Sequence, residues 1–235
     1  ILNLVDFQIK GYEDLNFSVA YPTHSFNKDS IIDDLNYFKY YFLKVNDEIN
    51  FNETRLNKDF QALADFAMNA PSDFFMYRDF QSRNVMIKDN STYFIDFQGG
   101  RKGPLQYDIV SLLYQVKAQI PNDVRKKLLD FYKEKLSVFI NVESINFDKY
   151  YKTFVLLRLL QVLGAYGFRG LIQKKQHFIE SIPFALKEVV VLKDKLDFPF
   201  ETKELSLVLE QMEKLLPKYQ ITDNEKLTVK VNSFS

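Results

Sequence analysis

Two short stretches decide how this sequence is interpreted: residues 77–84 read YRDFQSRN, and residues 95–98 read IDFQ. In the first stretch, Asp79 precedes Asn84 by five positions in a polar loop, and Asp96 follows Asn84 by twelve positions. Two apolar runs around a polar turn lie between the stretches, which is the pattern of a small β-hairpin. We therefore predict that two carboxylates and one carboxamide converge across one loop and one hairpin.

This set of polar groups has the composition that phosphoryl transfer requires. One carboxylate orients a substrate hydroxyl and takes its proton, while an Asn and a second carboxylate hold magnesium ions against nucleotide phosphates. Mg²⁺ prefers oxygen ligands, keeps several waters and needs only one or two protein carboxylates. Asp and Asn are also common turn and cap residues, so each of them alone has a structural interpretation. The two spacings and the hairpin together favour the catalytic one.

Composition and charge narrow the class of protein. The chain has 235 residues, of which 46% are hydrophobic and 16% aromatic, as expected for a packed globular protein. Thirty-one Lys and Arg residues balance 31 Asp and Glu residues, so we expect no direct nucleic-acid binding by this segment. The chain has no cysteine, which excludes disulfides, thiolate metal sites and a cysteine nucleophile. Residues 1–6 lack the features of a secretory signal, and we expect a cytoplasmic protein.

The spacing of apolar residues predicts a mostly α-helical fold of the α+β class. After an irregular opening segment, helices are expected at residues 31–42, 59–70, 105–116, 124–138, 147–163, 178–192 and 201–216. The most apolar stretch, residues 154–168, is interrupted by Arg158 and Gln161 and is shorter than the ~20 residues of a membrane span. We predict a buried helix there and no membrane association.

A family resemblance follows from the motifs quoted above. The 77–84 stretch combined with residues 95–97 resembles the catalytic and metal-binding loops of protein-kinase-like phosphotransferases. Residues 103–113, GPLQYDIVSLL, are similar to the aminoglycoside phosphotransferase and choline kinase superfamily. Together with LQVLG at residues 160–164, the sequences of these motifs look closest to those of amino-sugar kinases. Such kinases phosphorylate N-acetylmuramate or N-acetylglucosamine at the anomeric hydroxyl. The resemblance covers residues 30–195.

The resemblance implies a fold and a set of roles. The fold would be a protein-kinase-like C-terminal lobe, helical with a small catalytic β-hairpin, using ATP and magnesium on a small-molecule hydroxyl. Asp79 would be the catalytic base, and Asn84 and Asp96 would bind magnesium and thereby the nucleotide. Asp108 would brace the loop as a buried carboxylate, and Tyr77 would help to anchor it, although the family more often has His at that position.

Four cations near the predicted site have two interpretations each. Arg83, Arg101 and Lys102 could neutralise a phosphate or a substrate carboxylate, or they could be solvated surface charges. Arg158 lies in an otherwise apolar helix, so it must be paired or face a cavity. We predict a buried ion pair for it, with Asp108 or another carboxylate.

The resemblance also implies a missing part. A complete kinase of this fold has an N-terminal lobe with a glycine-rich loop, whereas Gly11 is the only glycine before Tyr77. We therefore expect a C-terminal lobe at residues 1–217 that is inactive without its N-lobe. A polar linker is expected at residues 218–226, followed at 227–235 by the first strand of a further domain, similar to the C-terminal domain of the RNase-adaptor family RapZ.

Two alternatives remain open at this stage. An aminoglycoside or choline kinase would need an acidic, aromatic pocket for its cationic substrate, and no acidic cluster lies near residues 164–170. A non-catalytic kinase-like sensor attached to an RNA-adaptor domain would keep the scaffold without the reaction, which the intact Asp79, Asn84 and Asp96 disfavour.

Overall fold

The computed structural model describes residues 1–219, which form a mostly helical fold with four short strands. The predicted helical class is confirmed. The helices of this part of the chain are α1 (Leu2–Asp14), α2 (Lys28–Tyr41), α3 (Glu53–Ala67), α4 (Leu105–Leu113), α5 (Asn122–Leu136), α6 (Phe147–Tyr166), α7 (Gln176–Ile179), α8 (Ile182–Lys193) and α9 (Lys203–Met212).

The strands form two separate antiparallel pairs. In the first, β1 (Phe74–Met76) pairs with β4 (Arg101–Gly103), which carries no alternating pattern and was not predicted. In the second, β2 (Val85–Lys88) pairs with β3 (Ser91–Phe94), as the sequence predicts. Both residues of the intervening turn have positive φ, 50° for Asp89 and 59° for Asn90, which suits a tight hairpin.

Asparagine caps set where two of the helices begin. The side chain of Asn27 accepts a hydrogen bond from the Ser30 amide at 2.9 Å, at the start of α2. Asn52 does the same for the Arg55 amide at 3.0 Å, so α3 begins at Glu53. The prediction that this helix begins at residue 59 is wrong, because the capping residue stands before a polar first turn.

The opening segment is also helical, which corrects the expectation of irregular structure. Leu4 and Val5 of α1 are buried, and α1 packs against β1. Gln8 occupies a buried position on the same side of the helix, so the apolar pattern of this segment is broken by a polar residue. Because of this buried polar residue, the spacing of apolar residues does not predict the helix.

Helices α2 and α6 pack closely because glycines line their interface. A Cβ atom at Gly164 would lie 2.8 Å from the backbone nitrogen of Phe38, and one at Gly167 would overlap the carbonyl oxygen of Tyr41. The predicted helix end at residue 163 is wrong, since α6 runs to Tyr166 and continues into a π-helical turn at Gly167–Ile172. The glycines allow close packing of two helices and do not end α6.

The predicted burial of α6 is confirmed. By length and composition, Phe147–Ile172 is the one segment in the described chain that could cross a membrane, yet 56% of its most apolar window is buried. It contacts α2, α4 and α8, as a core helix does. At the other end of the described range, Tyr219 is buried and its hydroxyl donates to Asn46 Oδ1 at 2.5 Å. The predicted strand at 227–235 and residues 220–226 of the predicted linker lie outside the described residues.

Candidate active site

A fully buried carboxylate fixes the start of the 77–84 loop. Asp108, in α4, accepts hydrogen bonds from the backbone amides of Tyr77 at 2.7 Å and Arg78 at 2.8 Å. Burial raises the pKa of Asp108 to about 7, and the hydrogen bonds from these amides and from Gln8 act in the opposite direction. Asp108 therefore lies where a brace for the loop is expected, and it bonds to the loop directly.

Tyr77 joins the loop to the residues after the hairpin. Its hydroxyl donates to the backbone oxygen of Ile95 at 2.5 Å, and its ring packs near Phe7 and Phe80. Burial raises the pKa of Tyr77, and the nearby carboxylates raise it further, so the hydroxyl remains a donor. Because Ile95 precedes Asp96, this bond ties the two predicted motifs together.

Asn84 brings the three predicted residues into one site. Its Nδ2 atom donates to the backbone oxygen of Asp79 at 2.9 Å and to Asp96 Oδ2 at 3.2 Å. The side chain is buried, and its Oδ1 atom accepts no hydrogen bond from the part of the chain that the structure describes. The amide nitrogen of Asn84 is thus used for positioning, and its oxygen is left for a ligand.

Asp96 is held in an uncommon backbone conformation. Its φ is 70°, in the left-handed region that favours glycine, and Arg78 has a φ of 74°. Such a residue costs about 1–3 kcal/mol and persists only where its surroundings hold it. Two hydrogen bonds hold Asp96 in this conformation. Asn84 donates to its Oδ2 atom, and Gln98 donates to its Oδ1 atom at 2.8 Å.

The donor set of this site fits magnesium. Asn84 Oδ1 and the exposed Asp96 carboxylate are oxygen ligands of the kind that Mg²⁺ prefers. Within residues 1–219, no group of three or more His, Asp or Glu side chains could hold a metal ion by itself. The protein would therefore supply only part of the coordination, leaving the remainder to phosphate oxygens and water.

Asp79 presents a carboxylate to the open side of the loop. Its side chain is 41% exposed, and its Oδ1 atom accepts a hydrogen bond from Gln81 Nε2 at 3.1 Å. Nη2 of Arg158 lies 3.9 Å from the same oxygen. No described residue donates to Oδ2 of Asp79, so that atom is free to accept a hydrogen bond from a substrate hydroxyl.

Arg158 extends from α6 toward this carboxylate. The side chain is 8% exposed, and its Nη1 atom donates to the Tyr107 hydroxyl at 3.4 Å. The structure pairs Arg158 with a carboxylate, as predicted, but the partner is Asp79, which is partly exposed, so only the arginine side of the pair is buried. Pairing with Asp108 is wrong, because the Asp108 oxygens are used by the backbone amides of the 77–84 loop.

The three flanking cations lie in different environments. Arg101 is 2% exposed, and its guanidinium donates to the oxygens of Gly99, Thr23 and Tyr21 at 3.0, 2.9 and 3.3 Å. Both interpretations given for Arg101 are therefore wrong, because its guanidinium is bonded within the protein and is not solvated. Lys102 Nζ lies 3.8 Å from Asp73 Oδ1 and 5.0 Å from the ring centre of Tyr12. Arg83 is exposed beside Asn84.

Sequence reasoning missed one charged residue of this site, Asp34 of α2. Its side chain is 17% exposed, and one of its oxygens lies 3.7 Å from Arg78 Nη2. Burial raises the pKa of Asp34 to about 6, Arg78 and Arg158 lower it, and Asp33 and Asp79 raise it further. A signal was present, because an acid three positions after Ile31 lies on the buried stripe of the helix.

One of the comparisons with known proteins matches the part of the chain that contains this site. A search of the curated proteins found no match. Residues 38–139 match the model of the phosphotransferase enzyme family, known as APH. The matched segment contains Asp79, Asn84, Asp96 and Asp108, and it supports the aminoglycoside phosphotransferase and kinase-like superfamily as the relatives of this part of the chain.

Proposed function

We propose that this protein provides the acceptor-binding and catalytic part of a phosphotransferase that uses ATP and magnesium to phosphorylate a hydroxyl of a small molecule. One observation carries the proposal: Asn84 bonds both to the backbone of Asp79 and to the side chain of Asp96. This arrangement puts a partly exposed carboxylate next to two side chains with oxygen atoms of the kind that magnesium prefers, and phosphoryl transfer uses such a set of groups. The family match points to the same reaction.

In this proposal each residue has a defined task. Asp79 Oδ2 accepts a hydrogen bond from the acceptor hydroxyl, orients it, and takes its proton as that oxygen is phosphorylated. Nη2 of Arg158, 3.9 Å from Asp79 Oδ1, helps to hold this carboxylate in position. Asn84 Oδ1 and Asp96 would hold magnesium, which neutralises charge on the phosphates of ATP when both are bound. Positioning supplies most of the rate.

The charges around Asp79 support an amino sugar of the N-acetylmuramate or N-acetylglucosamine type as the acceptor. Asp34 and Asp79 are balanced by Arg78 and Arg158, so this part of the site has no excess negative charge for a polycation. Aminoglycosides and choline are cationic and would need such an excess. A neutral or anionic sugar needs hydrogen-bond partners, which these four side chains offer.

The test is phosphate transfer by the protein made from the complete reading frame, assayed with Mg·ATP and a panel of sugars, aminoglycosides and choline. Asp79→Asn is expected to lower kcat by at least about a hundredfold, the usual contribution of a positioned base. Asp89→Asn, an exposed change in the hairpin turn, should leave kcat within about twofold. Undiminished transfer by the Asp79 variant, or transfer to none of the acceptors, would contradict the proposal.

A further inference from the structure

Asp34 has an incomplete set of partners. Its carboxylate is largely buried, but no described residue donates a hydrogen bond to it. The nearest cation, Arg78 Nη2, lies at 3.7 Å, which is beyond hydrogen-bond distance. An ionised carboxylate can accept about four hydrogen bonds. The Asp34 oxygens are not among the fully buried atoms that lack a partner, so they are open to solvent and to a bound molecule. The geometry leaves the accepting capacity of Asp34 unused.

The neighbouring arginine has unused capacity as well. Nη1 of Arg78 is buried and has no hydrogen-bond partner in the described part of the chain. The backbone of Arg78 is fixed by the bond from its amide to Asp108, and its guanidinium lies 6.0 Å from the ring centre of Phe26. Arg78 and Asp34 therefore form a charged pair that is held in place without being saturated.

Asp34 is connected to Asp79 through Arg78. The Arg78 guanidinium lies 3.7 Å from Asp34, and Arg78 is the residue before Asp79 in the 77–84 loop. Arg158, in α6, lies 3.9 Å from Asp79 on its other side. Tyr107 completes the group through its contact with Arg158. Three helices and one loop thus contribute two carboxylates, two guanidinium groups and one tyrosine hydroxyl to this group of side chains.

We propose that Asp34 is an acceptor-binding residue, which takes hydrogen bonds from a second hydroxyl or an N–H group of the same molecule that Asp79 orients. The inference rests on the proposed function and narrows its substrate class. A molecule held by both carboxylates must carry at least two hydrogen-bond donors, as a sugar does. Choline, with a single hydroxyl and no N–H group, cannot satisfy both. Asp34 lies outside the segment that matches the family model.

The test is binding of N-acetylglucosamine, N-acetylmuramate and glucose to this chain, measured by calorimetry at pH 7.5 without nucleotide. Asp34→Asn and Asp34→Ala should raise the dissociation constant of the best-bound sugar by about tenfold or more, or about 1.4 kcal/mol. Asp33→Asn is the matched control, because Asp33 is the exposed neighbour on the same helix. It should change the constant by less than about twofold.

A pH series separates a binding role from a structural one. Asp34 interacts through its charge with Asp33 on its own helix, Arg78 and Asp79 on the loop and Arg158 on α6. It also interacts with Arg101 on β4 and Tyr107 on α4. The sugar affinity of the unmodified chain should fall below pH 6, because Asp34 is then protonated. The sugar affinity of Asp34→Asn should not show this pH dependence. Circular dichroism and the thermal midpoint show that each variant is folded.

Two results would overturn the inference: wild-type affinity in both Asp34 variants, or no binding of any of the three sugars to the unmodified chain. Failure of the proposed function looks different. If sugars bind in an Asp34-dependent manner but the complete protein transfers no phosphate to them, Asp34 remains a binding residue and the phosphotransferase proposal fails.

Discussion

The α2–α6 interface and the 77–84 loop are stabilised by different kinds of interaction. Between the helices, backbone lies against backbone because Gly164 and Gly167 have no side chain, and buried apolar residues surround the contact. The loop and the hairpin after it are short, and Ile87 and Phe97 are 78% and 62% exposed. The loop is held by its own backbone amides, which donate to Asp108, and by Asn84, whose side chain donates to the Asp79 carbonyl.

The difference separates what fixes the fold from what fixes the site. Apolar packing is spread over many residues, so the loss of one contact is shared among its neighbours. The loop depends on single groups such as Asp108, for which no neighbour substitutes. The following predictions test this contrast, beginning with the largest expected effect.

Gly167→Val should be the most destabilising change. The added side chain would overlap the Tyr41 carbonyl, and because this atom belongs to the backbone, α2 and α6 would have to separate. We expect a loss of at least about 4 kcal/mol in the free energy of unfolding, measured by urea denaturation. Gly99→Ala is the control, since its Cβ would meet only Arg78 side-chain atoms, the nearest at 3.7 Å. Equal losses in the two variants would show that close helix packing is not what matters.

Asp108→Asn should lower the free energy of unfolding by about 2–3 kcal/mol. In this variant an NH₂ group replaces one of the two oxygens that accept hydrogen bonds from the Tyr77 and Arg78 amides. Hydrogen exchange should then increase at the amides of Tyr77 and Arg78 while those of α6 keep their protection. Asp148→Asn, a change at a largely exposed carboxylate, is the control. An equal increase of exchange in α6 would contradict the separation of the two regions.

The smallest effect concerns pH. Because the pKa of Asp34 is raised to about 6, its contribution to stability is complete below its ordinary pKa near 4 and is lost as the pH rises through 6. Between pH 5 and pH 8, the free energy of unfolding of the unmodified chain should therefore fall by about 1 kcal/mol more than that of Asp34→Asn. Urea denaturation at the two pH values measures this difference. Asp89→Asn, in the distant hairpin turn, should behave as the unmodified chain. An unchanged difference in Asp34→Asn would show that Asp34 is not the group that titrates.

The contrast also explains which features could be predicted from sequence. Helices such as α2 and α6 follow from apolar spacing, and the hairpin follows from its polar turn. Helix α1 was missed because Gln8 occupies a buried position, and β4 because Arg101–Gly103 has no strand pattern of its own. Both depend on contacts with distant parts of the chain, which spacing does not report.

The candidate site was predictable to a similar degree. Asp79, Asn84 and Asp96 were found because their spacing along the chain is distinctive, and hydrogen bonds through Asn84 link them. The partner of Arg158 and the place of Asp34 could not be found in this way, since α2 and α6 meet the loop only after folding. A charged residue on an apolar helical stripe was the available signal for both.

Gln8 gives helix α1 a mechanical connection to the site. Its side-chain nitrogen donates to the Leu105 carbonyl at 3.1 Å and to Asp108 Oδ2 at 3.4 Å, while its oxygen accepts from the Tyr132 hydroxyl at 2.6 Å. Asp108 in turn holds the amide of Tyr77 through the same oxygen. The position of α1 and that of the loop that carries Asp79 are thus coupled through one buried amide group and one buried carboxylate.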